Sequence, residues 1–411
     1  MDVEYKVLHN KAISSQKGSP LLEIYMSLFS LPVHIIIFAW ISIITNYSEQ
    51  LSVPRIWKFV LEFIFLILPT VLNLTILSEF VVAQFIIYFL VAVISLFFIL
   101  LNRKCLILGS IRIKKNPYMS VYRFILNTYT VFCILAVDFN VFPRKYAKTE
   151  KYGHSIMDIG VGLYVCSNAL LFKTPKVQNF FKQSIKVVKQ VLPLLVLGIG
   201  RVYFIKKTNY NHYVFEYGVH WNFFITLACL KIINLFIIPF ISTCYTPILA
   251  TTMILLYEIA LNFGLSDWIM SDSSRDTFFS ANREVAVSFD NLTGISRRLV
   301  NAGYVFWMLS VSSYLLFMSI LIENFITVMM HRFNKKFSGF SLIIDSVNEN
   351  LLFFFLFANI LTGIVNMSIH TLQINTIFSL FILFLYMYIV YIVIYMLHNN
   401  KIKSQMSLNL K

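Results

Sequence analysis

Apolar residues run along this chain in blocks of about twenty with polar punctuation between them, the pattern of membrane-crossing helices rather than of soluble strands or amphipathic helices. Residues 81–101 read VVAQFIIYFLVAVISLFFILL and residues 376–397 read TIFSLFILFLYMYIVYIVIYML; neither run contains a charge. Hydropathy with flanking charge predicts eleven spans, near 21–45, 56–77, 80–101, 121–142, 156–173, 187–205, 219–241, 245–264, 302–325, 350–370 and 376–397. Backbone groups in lipid must be satisfied within their own segment, and these runs are too long and uniform for barrel strands. The expected fold class is therefore all-α, a polytopic helical membrane protein with about eleven transmembrane helices in one domain, 1–411. The first run follows twenty mostly polar residues and is too long for a cleaved leader, so it reads as an anchor.

Composition agrees, with 58% hydrophobic and only 13% charged residues over 411, against roughly 25% charged in soluble domains. The 34 Lys and Arg exceed the 19 Asp and Glu, giving +15. In a membrane protein that excess is first a topology signal, and no nucleic-acid partner is expected. Five scattered cysteines, Cys105, Cys133, Cys166, Cys229 and Cys244, lack any C-x-x-C spacing and specify neither a disulfide frame nor a zinc site. No metal is expected. The 40 phenylalanines read as lipid-facing and interhelical packing rather than as a ligand cage.

Basic links after the third span (Arg103, Lys104, Arg112, Lys114, Lys115), the fifth (Lys173, Lys176, Lys182, Lys186, Lys189) and the ninth (His331, Arg332, Lys335, Lys336) all fall on one side. The positive-inside rule makes that side cytosolic, which places the N-terminus in the lumen and the C-terminal tail, with Lys401, Lys403 and Lys411, in the cytosol. One loop breaks the rule. Arg144, Lys145, Lys148 and Lys151 follow the fourth span and are therefore lumenal. Cations placed against the topological preference fit an anionic partner such as a phosphate, a carboxylate or a lipid head group; the plainer reading is one discordant loop in a sum over loops.

Asp138 lies in the apolar run of the fourth span, where an ionisable side chain costs at least about 2.5 kcal/mol and marks a functional candidate. On a continuous helix Lys148, ten positions on, would stand about 15 Å away and roughly 80° round the axis. Pro143 disfavours helix at Phe142, so the chain is expected to leave the helix there and fold back toward the acid. A carboxylate and an ammonium meeting at a membrane boundary suit acyl transfer to an alcohol, the first accepting the hydroxyl proton and the second steadying the oxyanion of a thioester carbonyl. A salt bridge between helices is the structural alternative. The chain has no G-x-S-x-G, H-E-x-x-H, P-loop or dinucleotide fingerprint, which removes support for hydrolase, zincin and nucleotide-driven pump readings.

Further polar groups collect at other lumenal span ends: Arg201 in LGIGR; Glu216, His220 and Asn222 in EYGVHWNFF; Asn282, Arg283 and Glu284 in SANRE; Arg297 and Arg298 in SRRLVN. Glu216 and His220 are spaced i, i+4 and share a face if a helix begins by Tyr217, the alternative being an acid near a helix start. Asn359 and Asn366, seven apart in ANILTGIVN, share a face inside a span, where amides commonly hold helices together.

Together ILAVDFNVFPRKYAKTEKYGHSIMDIGVG, LGIGR, EYGVHWNFFIT, FFSANRE, SRRLVN and ANILTGIVNMS resemble the ordered motif set of the glycosylphosphatidylinositol inositol acyltransferases, the PIG-W family. The motifs occupy a core from 121 to 370. The resemblance implies a multi-pass endoplasmic reticulum enzyme, a membrane-bound O-acyltransferase. It would move a palmitoyl group from palmitoyl-CoA to the inositol 2-hydroxyl of glucosaminyl-phosphatidylinositol. Acyl-CoA is then a co-substrate, with no resident cofactor, and membrane lipid is the remaining partner. It further implies Asp138 as catalytic acid or base and Lys148 as the catalytic lysine, with the other polar residues binding substrate. Only Val285 to Ile295 separates SANRE from SRRLVN, where the family carries a long segment with two further spans. Eleven residues cannot cross a membrane as a helix. An inactive membrane scaffold is the reading this loss supports, and a lipid or solute transporter, which should show repeat symmetry, is the other alternative.

Overall fold

The computed structural model describes residues 18–44, 54–101, 117–150, 152–172, 180–208, 218–242, 244–265, 268–269, 276–282, 295–297, 299–333 and 341–409. Among these the regular structure is helical throughout, as the block pattern predicts. Among the described residues nine helices are long and apolar enough to cross a membrane. The fifth and eighth predicted spans appear as apolar helices that fall short of that length, Ile159–Leu170 and Thr246–Ala260. The latter gives way at Leu261–Leu265 to a turn in which Gly264 takes a φ of +96°, a conformation that ends an α-helix.

The described chain forms two compact units. The first contains α1 (Leu21–Ile44), α2 (Arg55–Asn73), α3 (Val81–Leu101) and α4 (Pro117–Ala136). Pro69 cannot donate to the helix of α2, and the widened turn at Phe63–Ile67 immediately before it accommodates the missing bond. The second contains most of α5 (Ile159–Leu170), with α6 (Phe180–Thr208), α7 (Phe223–Ile237) and α8 (Thr246–Ala260). The long α9 (Ala302–Phe333) gives its first turns to the second unit and the remainder to the first. The first unit is completed by α10 (Leu342–Glu349), α11 (Leu351–Ser368) and α12 (Thr376–Asn409).

In the first unit α4 is the core helix, with most of its residues buried where most of those of α11 are not. Tyrosine hydroxyls fix it. Tyr391 meets Thr128 Oγ1 at 2.7 Å, Tyr386 donates to the Val131 carbonyl at 3.1 Å, and Tyr129 of α4 donates to the Ser27 carbonyl at 2.9 Å. Such bonds hold helices where lipid offers no competing water. The helix that leads into Asp138 is thereby anchored to both α1 and α12.

Acids inside the apolar segments find backbone donors. Glu62, fully within α2, accepts from Ser341 Oγ and from the Leu342 and Ile343 amides at 3.0 and 2.8 Å, capping α10. Glu323 accepts from the Tyr118 amide at 3.2 Å in the first turn of α4, and Glu258 from the Ala302 amide at 3.3 Å at the start of α9. The first four N–H groups of a helix have no partner in their own ladder, and a carboxylate satisfies both the donor and the positive end of the dipole.

Candidate active site

Helix α4 ends at Ala136, before the acid and not beyond it. Asp138 therefore stands in a turn, its amide bonded to Leu135 O at 3.1 Å and that of Phe139 to Ala136 O at 3.0 Å. The chain leaves the helix as expected, but at Val137 rather than at Phe142. Pro143 instead opens a short 3₁₀ turn at Arg144–Tyr146. Hydropathy misplaced this boundary because Val137, Phe139 and Phe142 are as buried as the helix itself.

Asp138 is buried, and its Oδ2 accepts a 2.6 Å hydrogen bond from Asn366 Nδ2 of α11. Arg144 reaches back over the turn, donating to the Val137 carbonyl at 2.7 Å, the Phe139 carbonyl at 3.2 Å and Asn140 Oδ1 at 3.3 Å. Burial lowers the pKa of this guanidinium from its ordinary value, and the Asp138 charge opposes that effect. One cation thus fastens both carbonyls that flank the acid.

Lys145 turns elsewhere, pairing with Glu23 Oε1 at 2.8 Å and with Glu79 at 3.7 Å. The Tyr146 hydroxyl donates to the same Glu23 oxygen at 3.3 Å and lies 3.1 Å from Ser27 Oγ. Burial, with Glu23 beside it, raises the Tyr146 pKa and keeps the phenol a donor. The loop is thereby clamped to the start of α1. Lys148, half-buried, follows in the same unit, and the chain returns to pair the Met157 amide with the Tyr146 carbonyl at 3.2 Å. Ser155 and Asp158, both fully buried, close the next turn through a 2.8 Å side-chain bond.

In the second unit two motif turns meet. Asn282 Oδ1 accepts the His220 amide at 2.8 Å, and the Ala281 carbonyl accepts that of Val219 at 3.0 Å. Gly218 takes φ +81°, and a Cβ there would lie 2.5 Å from Asn282 Cα, so only glycine allows this approach. Asn222 caps α7, accepting from the Phe224 and Ile225 amides at 3.1 and 3.3 Å while donating to Gly198 O at 2.8 Å. Because α7 starts at Phe223, His220 precedes the helix, and its expected partner Glu216 lies outside the described residues. Asn301, absent from the sequence-based candidates, caps α9 by accepting the Tyr304 amide at 3.0 Å and holds the Ser296 amide at 3.1 Å. Its signal was an Asn directly before an apolar run. Arg297 is half-buried in this turn, and Arg201 is exposed on α6. Asn359 donates to Phe355 O at 2.7 Å within its own helix, so of the α11 amides it is Asn366 that joins the acid. Glu216, Arg283, Glu284 and Arg298 lie outside the described residues. Among the described residues no cluster of His, Cys, Asp and Glu is arranged to hold a metal ion.

Fold and site define a polytopic helical membrane protein with a buried, amide-held carboxylate in the turn where its core helix ends. The family model GWT1 matches residues 5–290 and 285–397, and the chain belongs to the GWT1 family. It is 29% identical to the Phosphatidylinositol-glycan biosynthesis class W protein of Dictyostelium discoideum, over 90% of this chain and 93% of that protein. It is 26% identical to the Glucosaminyl-phosphatidylinositol-acyltransferase PIGW of Homo sapiens, over 96% and 98% of the two. GPI-anchored wall transfer protein 1 of Saccharomyces cerevisiae is 30% identical over 66% of this chain and 71% of its own. The human alignment runs to 495 positions although this chain has 411 residues, so that relative carries residues with no counterpart here. The family match divides at the short link between SANRE and SRRLVN, where the sequence places the loss.

Proposed function

We propose that the protein is an acyltransferase of GPI-anchor assembly in the endoplasmic reticulum membrane, transferring a palmitoyl group from palmitoyl-CoA to the inositol 2-hydroxyl of glucosaminyl-phosphatidylinositol. The observation that carries this reading is the buried Asp138, fixed by Asn366 and bracketed by Arg144, in a family that includes relatives named glucosaminyl-phosphatidylinositol-acyltransferase. In the reaction Asp138 accepts the proton of the inositol hydroxyl as its oxygen attacks the thioester carbonyl. Lys148 steadies the oxyanion that forms. Collapse of the tetrahedral adduct breaks the C–S bond, leaves the ester on inositol and releases CoA, whose sulfur receives the proton. Positioning supplies the remainder, since the turn that carries the acid is fixed from α1, α4 and α11.

The test is acyl-CoA-dependent acylation of glucosaminyl-phosphatidylinositol by membranes in which this chain is the sole source of the activity. A mobility shift of the lipid product that depends on both palmitoyl-CoA and the chain is expected. No product, with the chain present and folded, would contradict the proposal and favour the scaffold reading.

A further inference from the structure

A lysine stands inside the second unit with no carboxylate answering it among the described residues. Lys231 lies at the middle of the span Phe223–Phe240, half-buried, and its Nζ donates to Gln190 Oε1 of α6 at 3.3 Å. An ionisable residue at such depth is costly unless it serves a site or a pathway. A lysine that merely escaped the apolar slab would extend toward the nearer membrane face. This one turns sideways onto α6. There Gln190 adjoins Lys189, and Lys182, Lys186 and Lys189 follow at i, i+4 and i+7, within about 60° of one another and over about 10 Å of helix. All three are exposed, and none of the four lysines forms an ion pair among the described residues. The ladder descends from the end of α6 that the basic links assign to the cytosol to the depth of Lys231.

We propose that Lys231, with Lys189, Lys186 and Lys182 above it, forms a binding site for the phosphate esters of an acyl carrier of the coenzyme A type entering from the cytosolic face. Four like charges on neighbouring helices repel one another, and an anion with several phosphates removes that cost. A phospholipid phosphate shares the chemistry but stays at head-group level, whereas Lys231 lies about 14 Å along the span from its cytosolic end at Phe240, well within the apolar slab. A carrier with phosphates at one end and an acyl thioester at the other uses the whole ladder. The inference rests on the acyl-CoA reading above and adds to it where the phosphates sit.

The test uses the full chain in nanodiscs of neutral lipid and two non-hydrolysable thioether probes, palmitoyl-CoA analogue and palmitoyl-pantetheine, which lacks the phosphates. Lys231→Gln is expected to weaken the CoA probe about tenfold and to leave the pantetheine probe unchanged, while Lys231→Arg keeps both within about threefold of the starting chain. Equal binding of the CoA probe by wild type and Lys231→Gln would overturn the site, as would an equal loss of both probes, which reports packing damage. A lysine-dependent effect confined to nanodiscs with acidic phospholipid would overturn it in favour of a lipid phosphate. Asp138→Asn is expected to bind both probes like wild type, so failure of acyl transfer and failure of phosphate binding are separate readouts.

Discussion

Asn366 donates a 2.6 Å hydrogen bond to Asp138, joining the α11 interior to the turn that ends α4 across 228 residues of sequence. A hydrogen bond to a charged group contributes about 1.5–3 kcal/mol. Asn366→Ala should therefore lower acyl transfer per folded molecule by about tenfold to a hundredfold, with folded abundance close to wild type. Unchanged specific activity would show that the amide merely packs against the acid.

Arg144 and Lys145 are adjacent in sequence and have separate tasks. Arg144 fastens the carbonyls of Val137 and Phe139, whereas Lys145 is engaged by Glu23 and Glu79 in partly exposed ion pairs, a type that contributes roughly 0–1 kcal/mol. Arg144→Ala is expected to lower turnover at least about tenfold, and Arg144→Lys should not restore it because the two-carbonyl grip needs the planar fork. Lys145→Ala should change turnover by less than about fivefold. The reverse ranking, measured as rate per folded molecule, would mean that Lys145 meets substrate and that its ion pair is secondary.

Glu62 is an intramembrane acid with a structural task. Glu62→Ala removes the acceptor of Ser341 Oγ and of two α10 amides, and each buried donor left unsatisfied costs about 1–3 kcal/mol. Thermal unfolding in detergent should show a clear loss of stability, with normal turnover in the molecules that remain folded. A stable but inactive variant would move Glu62 into the chemistry.

These cases show what the sequence made legible. Long apolar runs with no nearby partner to compete give helices wherever they occur, so fold class and the order of segments follow directly from hydropathy. Helix ends do not. Val137 to Phe142 is apolar and buried, yet the chain has already left the helix, because tertiary burial and helical backbone are independent properties. The acid Asp138 and the amide Asn366 were each visible as polar residues in apolar runs, but their meeting depends on two elements 228 positions apart. Asn222 reads as a ligand residue in its motif and is occupied as a helix cap, while Glu62, Glu258 and Glu323, equally anomalous in their runs, belong to no motif and hold helix starts. A polar residue in an apolar run marks a partner without saying whether it is a substrate or a backbone amide.

Sidedness carries its own prediction. Within the first unit Glu23, Glu79, the 137–148 turn, Asn366 and Leu372 gather at one end, and Arg55, Ser120, Asn348, His398 and Asn399 at the other, the two groups that hydropathy order places on opposite membrane faces. A tag at Lys411 should be digested by protease added to sealed microsomes, and a tag between Lys206 and Tyr213 should be protected. The opposite pattern would place the Asp138 turn in the cytosol.

In the proposed reaction Asp138 and Lys148 act as one catalytic unit, and a double-mutant cycle tests this most directly. Folded abundance and specific acyl-transfer activity are measured for Asp138→Asn, Lys148→Ala and the double variant. Each single change is predicted to lower turnover by roughly 10² to 10⁴ in protein that remains folded, and the double variant to be little worse than either. If the two residues formed only a structural ion pair, single changes would strand a charge and deplete folded protein, and removing both would restore it. Normal activity per folded molecule in either single variant, or recovery of activity in the double, would contradict the catalytic assignment.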